Sequence, residues 1–393
     1  MNAGQSHPVA LLNGTVITPF RVADRQTILL EDGKIARILD ADTAGVPADT
    51  RVIDLAGLVV TPGFVDLHIH GAEGASFNDP DEARLDGIAQ YAVRHGTTRL
   101  LATLYPDDGQ RFLSAIDTLA AYTASGRGHG VLHGIHLEGP FLNRQMKGAM
   151  NADCLWPATQ QNWARLADRG RGLIRMMTVA PELDGVLDVM QAAARSGVLL
   201  AIAHSKARYE DIELAIDNGL SQVTHMFNAM DPMHHRKPGI VTAALLKREL
   251  KIHLIADGIH VHPAVIALLY RLKGVGGIVL VTDAIRAAGC EDGVHDLAGR
   301  SAVVRDGAVY LQDGTLAGST LTMPAAVRTM VQRAGVPLAE AVRMATLNPA
   351  RALGLDARKG IVAAGKDADL VVLDRDFNVR MTIIGGNVVF RSS

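Results

Sequence analysis

The chain has 393 residues, of which 48% are hydrophobic, so it can bury a large core and is not expected to be disordered. Its 39 Lys and Arg residues nearly balance its 41 Asp and Glu residues, and the net charge of −2 predicts no nucleic-acid partner and no attraction to an acidic membrane. The longest apolar runs, such as residues 198–203, are too short to cross a bilayer. Only Cys154 and Cys290 are present, so no disulfide framework is expected, which favours the reducing cytoplasm.

Both ends of the chain alternate short strand-like runs with turn signals and lack a helical pattern. The N-terminal runs include a hairpin turn at Glu31-Asp32-Gly33-Lys34, and the C-terminal runs include a turn at Gly385-Gly386-Asn387. We therefore expect the two ends to pair into one small β-sandwich domain, which a larger domain interrupts. The predicted boundaries are 1–60 and 354–393 for the sandwich and 61–353 for the inserted domain.

The middle of the chain alternates apolar strands with amphipathic helices. Eight such units predict an α/β fold of the (β/α)8 TIM barrel type, although periodicity alone leaves an open doubly wound sheet possible. After the eighth strand, residues 302–310 predict a hairpin insertion around Asp306-Gly307, and helices resume at Pro324. The predicted strands are 58–70, 98–104, 131–138, 173–180, 198–204, 222–227, 250–256 and 278–283, and the helical patterns include 83–95, 111–124, 184–196, 209–218 and 263–272.

Polar side chains end several of these apolar strands, at the face where barrel enzymes place their active sites. One histidine at such a position could be an ordinary core residue, but a carboxylate that ends an apolar strand needs a cation or several donors to offset its desolvation. Four histidines and two carboxylates together predict a divalent metal site. These residues are His68, His70, Glu138, His204, His225 and Asp283.

Ligand chemistry suggests a role for each of these residues. Glu138, His204 and His225 form a three-ligand set that leaves one position open for water, as catalytic sites do. His68 and His70 could hold a second ion, with Glu138 bridging the two. Asp283 is the best candidate for a general base that takes a proton from an activated water and delivers it to a leaving nitrogen. The predicted reaction is hydrolysis of a carbonyl compound.

Several motifs make the resemblance to one family specific. The runs PGFVDLHIHG, HLEGPF, THMFNAM, ADGIHV, VTDA, LAGSTLTM and KGIVAAGKDADLVVLD resemble the N-acetylglucosamine-6-phosphate deacetylases of the amidohydrolase superfamily, from about residue 11 to 390. The resemblance implies hydrolysis of N-acetylglucosamine 6-phosphate to glucosamine 6-phosphate and acetate in amino-sugar metabolism. It implies one or two divalent ions per subunit, Zn²⁺ or Fe²⁺, and the metal and acid/base roles given above for Glu138, His204, His225 and Asp283.

The same resemblance implies substrate contacts. His260 matches a family histidine that helps to polarise the acetyl carbonyl, and Asn228 with the backbone at Ala229 matches a phosphate-binding turn. Arg236 matches an arginine that reaches a phosphate in the neighbouring active site of a cytoplasmic homodimer. Met323 matches an apolar wall for the sugar or acetyl group, although it could equally belong to the core.

Two comparisons with the family pattern leave alternatives open. His68 and His70 are intact, which permits two metal ions, whereas Met150 stands where some relatives have a sugar-binding histidine. The sugar epimer is therefore not fixed, and N-acetylgalactosamine 6-phosphate or a cyclic amide is an alternative substrate. A catalytically inactive scaffold is disfavoured because the chain has lost none of the expected metal ligands.

Overall fold

The computed structural model describes residues 8–40, 46–297 and 299–393 of the chain. Its strands form a terminal sheet, a parallel barrel, an antiparallel insertion and one short ribbon. In chain order the strands are β1 (Val9–Ile17), β2 (Val22–Glu31), β3 (Lys34–Asp40), β4 (Arg51–Asp54), β5 (Val59–Pro62), β6 (Phe64–Ile69), β7 (Gly71–Ala72), β8 (Ala75–Ser76), β9 (Thr97–Leu104), β10 (Leu132–Glu138), β11 (Ile174–Val179), β12 (Leu199–Ile202), β13 (Leu220–Val223), β14 (Lys251–Ile255), β15 (Ile278–Val281), β16 (Gly293–Leu297), β17 (Arg300–Arg305), β18 (Ala308–Leu311), β19 (Leu316–Ser319), β20 (Leu370–Leu373), β21 (Val379–Ile384) and β22 (Asn387–Arg391).

The helices cover the outside of the barrel and are α1 (Glu82–Arg94), α2 (Gly109–Ser125), α3 (Gln160–Gly170), α4 (Val186–Arg195), α5 (Tyr209–Asp217), α6 (Ile240–Leu246), α7 (Pro263–Lys273), α8 (Met323–Gln332), α9 (Leu338–Ala345) and α10 (Leu347–Ala352). The five predicted helical patterns correspond to α1, α2, α4, α5 and α7, whereas α3 and α6 were not predicted. Helix α3 has few apolar residues, and α6 is a short, continuous apolar run that periodicity cannot distinguish from a strand. Across the described ranges, none of the helices combines the length and apolar character needed to cross a membrane.

The predicted barrel is confirmed. Its eight parallel strands pair in the order β15-β14-β13-β12-β11-β10-β9-β6, and hydrogen bonds between the two outer strands close the circle. The amide of Asp283 donates to the carbonyl oxygen of His68 at 2.8 Å, and the amide of His70 donates to the carbonyl oxygen of Ala284 at 2.8 Å. The strands and the inner helix faces share one large hydrophobic core.

The prediction of a single first strand over residues 58–70 is wrong, because the structure divides it at Gly63. Strand β5 belongs to the terminal sheet and β6 to the barrel. The amide of Gly63 donates to the carbonyl oxygen of Asp369 at 2.9 Å, and a Cβ atom at this position would lie 2.2 Å from Thr98 Oγ1. The chain therefore passes from one sheet to the other at a point where only glycine fits.

The terminal sheet contains strands from both ends of the chain, as predicted for the sandwich. Its order is β22-β21-β20-β5-β1-β2-β3, with β4 also paired to β1. Apolar residues from both halves, including Leu11, Ile35, Leu370 and Met381, enclose a second hydrophobic cluster. The two-residue turns after Glu31 and Ile384 lie where the sequence predicts them. The domain boundaries themselves stay a prediction.

The insertion after the eighth barrel strand is larger than the predicted hairpin. It has four antiparallel strands, β16 to β19, of which β17 and β18 form the hairpin at Asp306-Gly307. The sheet has its own small hydrophobic cluster, against which Ala149 and Leu297 pack. The insertion therefore forms one wall of the cavity at the carboxyl-terminal mouth of the barrel.

Candidate metal centre

Backbone geometry at the strand ends directs polar side chains toward the barrel axis. His204, His225 and Asp283 each lie two residues beyond the last residue of β12, β13 and β15, where the sequence predicted continuing strand. Each has a positive φ, at 49°, 29° and 51°. Such a conformation costs about 1–3 kcal/mol for a residue other than glycine, and it is found where the surrounding structure and function require it.

The first ligand group lies at the ends of β10, β12 and β13. Glu138 Oε1 is 2.9 Å from His225 Nε2 and 3.3 Å from His204 Nε2, and the two imidazole nitrogens are 3.1 Å apart. All three residues are buried. These atoms could ligate one ion.

The second group joins the first strand to the eighth. His68 Nε2 and His70 Nε2 are 3.0 Å apart, and both lie 3.3 Å from Asp283 Oδ1. Glu138 Oε2 is 3.2 Å from His70 Nε2 and Oε1 is 3.6 Å from His68 Nε2, so the Glu138 carboxylate faces both groups. The structure therefore brings all six predicted residues together.

The hydrogen bonds of two imidazoles fit a metal site. His204 Nδ1 lies 2.8 Å from the carbonyl oxygen of Met146, and His70 Nδ1 lies 3.2 Å from the carbonyl oxygen of Thr103. A carbonyl oxygen only accepts, so each Nδ1 carries a proton, and each Nε2 is the ring atom that faces the ligand group. Four Nε2 atoms and two carboxylates meeting in a buried space suit a divalent cation, and the chain holds such a cation as its cofactor.

The pKa values of the ligand residues reflect two opposing effects, because burial disfavours the charged forms and neighbouring groups of opposite charge favour them. Burial acts to raise the pKa of the Glu138 carboxyl, but His68, His204 and His225 hold that pKa well below its usual range. Burial likewise acts against ionisation of Asp283, and His68 and His70 hold its pKa below the usual value, so it is a carboxylate able to accept a proton. Burial acts to lower the pKa of His70, but Asp283 and Glu138 raise it to about 10.

A fifth imidazole, that of His260, borders the same space in the loop after β14, the seventh barrel strand. Its Nδ1 is 2.6 Å from Asp257 Oδ2, while Asp257 Oδ1 accepts from the amides of Ile259 and His260, each at 2.8 Å. Burial acts to lower the pKa of His260, but the Asp257 carboxylate raises it above its ordinary value.

Sequence reasoning missed the role of Asp257. It lies two residues beyond the end of β14, the same offset that marks His204, His225 and Asp283, and this offset was the available signal.

A cavity of about 370 Å³ opens at the mouth of the barrel. Its lining includes Asn228, Ala229, His260 and five of the six candidate ligands, which are His70, Glu138, His204, His225 and Asp283. Ala229 has a φ of 51°, and the Asn228 amide nitrogen lies 3.2 Å from the carbonyl oxygen of Met226. The turn is thus strained and hydrogen-bonded into the strand end before it. Met150 lines the same cavity.

Two predicted substrate residues lie elsewhere in the subunit. Arg236 is exposed in the loop after β13, with Nη1 2.7 Å from His235 Nε2, and it is not among the described residues that line the cavity. Met323 begins α8 and is 1% exposed within the barrel core, so its burial supports the core alternative rather than a cavity wall.

A second polar layer lies deeper in the barrel. His136 is two residues before Glu138 on β10, and its Nε2 lies 2.8 Å from Thr178 Oγ1, which in turn lies 2.8 Å from Thr224 Oγ1. His253 on β14 has its Nε2 3.3 Å from Gln222 Oε1. Burial lowers the pKa of His136 well below its usual value and that of His253 to about 3.

Comparisons with known proteins agree with this geometry. Residues 59–389 match the amidohydrolase family. The chain is 34% identical over 381 residues to N-acetylglucosamine-6-phosphate deacetylase of Bacillus subtilis (strain 168), covering 96% of each chain. It is also 34% identical over 360 residues to N-acetylgalactosamine-6-phosphate deacetylase of Escherichia coli O157:H7, covering 91% of this chain and 95% of that one.

Among solved structures, a mutant N-acetyl-D-glucosamine-6-phosphate deacetylase of Mycobacterium smegmatis, in complex with N-acetyl-D-glucosamine-6-phosphate, superposes with a TM-score of 0.91. The two are 33% identical, and the match covers 98% of this chain and 100% of that one. Fold, buried ligand groups and sequence identity lead to the same assignment. The chain belongs to the N-acetylglucosamine-6-phosphate deacetylase family of amidohydrolases.

Proposed function

We propose that the chain removes the acetyl group from N-acetylglucosamine 6-phosphate, giving glucosamine 6-phosphate and acetate. The observation that carries the proposal is the Glu138 carboxylate, which faces two histidine groups at once with Asp283 beside one of them. Asn228 and Ala229 line the same cavity and offer a turn suited to the phosphate. The names of the relatives support this substrate.

Each side chain has a defined task in the proposed reaction. A divalent ion held by Glu138, His204 and His225 supplies Lewis-acid activation of water and of the acetyl oxygen when it is bound. Asp283, ionised in the resting site, takes the proton of the attacking water and gives it to the departing amine nitrogen. His260, whose pKa the Asp257 carboxylate raises against burial, donates a hydrogen bond to the oxygen on which charge develops.

The test is acetate release from a panel of N-acetyl hexosamines, each with and without a 6-phosphate. We expect N-acetylglucosamine 6-phosphate to give the highest kcat/KM and the unphosphorylated sugar to be far slower. Activity confined to cyclic amides, or absent from the whole panel at full metal content, would refute the proposal.

The galactosamine epimer is the second candidate, and Met150 is the observation that favours testing it. This side chain lines the cavity and has no hydrogen-bond donor to read the sugar hydroxyls. The Escherichia coli relative is named for the galactosamine substrate. Comparing the two 6-phosphates in the same assay decides which epimer is preferred.

We propose one or two ions per subunit, with Zn²⁺ or Fe²⁺ as the native metal, and the cytoplasm as the site of the reaction. Nitrogen and carboxylate ligands suit either ion, and the two free cysteines suit a reducing compartment. Metal analysis of the purified protein tests the ion count. A double substitution, His68→Asn with His70→Asn, should lower that count only if the second group is occupied.

We also propose a homodimer in which Arg236 reaches the phosphate in the neighbouring active site. The Arg236 loop borders an apolar groove between α6 and α7, where Met233, Leu268 and Leu272 remain 64%, 52% and 54% exposed. Apolar side chains grouped in this way are typical of protein interfaces. Arg236→Ala should raise KM about tenfold for the phosphorylated substrate and leave the unphosphorylated one unchanged.

Mixing two variants with different defects, one in kcat and one in KM, tests the exchange of arginine directly. In a heterodimer of Asp283→Asn and Arg236→Ala subunits, the Arg236→Ala subunit keeps its own base and receives Arg236 from its neighbour. One site is then intact, so re-association of the two variants should restore low-KM activity. A monomeric protein, or no gain on mixing, would contradict the dimer proposal.

A further inference from the structure

We infer that Arg300, on the insertion, is a phosphate-binding residue contributed by the same subunit that performs the reaction. The inference rests on the proposed function, because it assigns a partner to the phosphate of that substrate. Among the described residues that line the cavity, Arg300 is the single Arg or Lys, whereas Asp107, Glu138 and Asp283 supply three carboxylates. A phosphorylated substrate therefore meets one guanidinium among the described residues that line the cavity.

Arg300 is anchored at the cavity wall. Its Nη1 donates to the carbonyl oxygen of Ala149 at 2.7 Å, and Ala149 packs against the hydrophobic cluster of the insertion. The side chain is 39% exposed, and its nearest carboxylate, that of Asp313, is 4.0 Å away. One N–H group is thus used to fix the guanidinium, and others stay free for an anion at little further cost in side-chain entropy.

Arg300 is linked to the proposed phosphate turn through the loop that contains Gly148 and Ala149. A Cβ atom on Gly148 would lie 3.2 Å from His204 Cε1 and 3.9 Å from Ala229 Cβ. The loop therefore touches the metal centre on one side and the Ala229 turn on the other, and Arg300 is bonded to the next residue along. A planar guanidinium bonded to the loop that contacts this turn is a favourable arrangement for phosphate.

The nearby lysine does not provide this charge to the cavity. Lys147 Nζ lies 3.4 Å from the carbonyl oxygen of Gly148 and 3.3 Å from that of Met150, so it is used in holding the loop together. Arg305, at the other end of β17, is mostly exposed, and its nearest carboxylate is that of Asp306 at 3.9 Å. Arg305 offers a matched control for removing one charge from the same strand.

The test separates charge from loop anchoring. Arg300→Gln keeps a donor for the Ala149 carbonyl oxygen and removes the charge, and Arg300→Lys keeps the charge and removes the planar fork. We expect Arg300→Gln to lower kcat/KM about ten- to hundredfold for the 6-phosphorylated sugar and less than twofold for its unphosphorylated form. Arg300→Lys should recover part of the loss, and Arg305→Gln should change neither value.

Two outcomes would overturn the inference. Equal losses on the two substrates would assign Arg300 to holding the loop, and a change in epimer preference with no change in phosphate preference would assign it to the sugar hydroxyls. Calorimetric binding of N-acetylglucosamine 6-phosphate to metal-loaded Asp283→Asn, with and without Arg300→Gln, repeats the test without turnover. If the parent enzyme is inactive on the whole panel, the proposed function fails, and this binding comparison still decides the role of Arg300.

Discussion

Two layers of buried histidines lie inside the same barrel, and they differ in what faces them. In the upper layer, His68, His70, His204 and His225 lie against Glu138 or Asp283. In the lower layer, His136 and His253 lie against threonine and glutamine side chains. The pKa of His70 is raised to about 10, and that of His253 is lowered to about 3, although both side chains are buried.

The difference shows that burial alone does not make a metal site. Burial disfavours the charged imidazole in both layers, and only nearby carboxylates reverse the effect. A proton or a cation is therefore stabilised in the upper layer, whereas the lower layer is a neutral packing layer. We therefore expect substitutions in the upper layer to act mainly on turnover, and substitutions in the lower layer to act mainly on stability.

The largest expected effect is on turnover in the upper layer. Asp283→Asn removes the proton acceptor, so kcat should fall on the order of a thousandfold. Glu138, His204 and His225 are unchanged, so the ion of the first ligand group should still be present in a metal analysis after dialysis. Thr178→Val, a matched loss of a polar atom in the lower layer, should change kcat only a few-fold. A variant Asp283→Asn with more than a tenth of the parent activity would exclude this base.

A smaller effect is expected on stability in the lower layer. The folded pKa of His253, about 3, lies below the value of about 6.5 in an unfolded chain, so its contribution is complete above pH 6.5 and is lost as pH falls toward 3. Between pH 7 and pH 5 this group should remove about 2 kcal/mol from the free energy of unfolding. The free energy of unfolding of the His253→Gln variant should fall correspondingly less between pH 7 and pH 5.

Urea unfolding of the metal-loaded protein at both pH values measures this difference, because the upper layer is the same in both proteins and cancels. His129→Asn is the control, since His129 is exposed and asparagine tolerates its φ of 57°. An unchanged pH dependence in His253→Gln would show that the lower layer is not the acid-sensitive one.

The smallest effect concerns an imidazole at the rim whose charge depends on one carboxylate. Asp257→Asn keeps the oxygen that accepts the Ile259 and His260 amides but removes the charge that raises the pKa of His260. Protonated His260 is present below its pKa and is lost as pH rises, so the alkaline limb of kcat/KM should move to lower pH.

The double variant Asp257→Asn with His260→Gln supplies the control for this shift. In a His260→Gln background there is no imidazole whose pKa Asp257 could raise. Adding Asp257→Asn to that background should therefore not move the alkaline limb of kcat/KM. A limb that moves equally in both backgrounds would assign it to another group.

The sequence predicted the barrel and the meeting of its six polar strand ends, because alternating apolar runs determine which strand ends share one face. It could not predict that Arg300 lines the cavity, because this position depends on how the insertion folds over the mouth of the barrel. The sequence left Met323 open between the core and a substrate wall, because an apolar residue near a motif suits both until its packing is known. The split at Gly63 depends on a steric contact with Thr98 that no local pattern records.

That split also has a consequence for how far the chain can be shortened. The last strands beside β5 come from the opposite end of the polypeptide, and β5 is separated from the histidine-bearing β6 by a single glycine. Deleting residues 369–393 would leave β5 without its antiparallel neighbour and Gly63 without the Asp369 carbonyl. The terminal sheet thus holds the start of β6 in place. We expect a barrel expressed without that sheet to position His68 and His70 incorrectly relative to the other ligands.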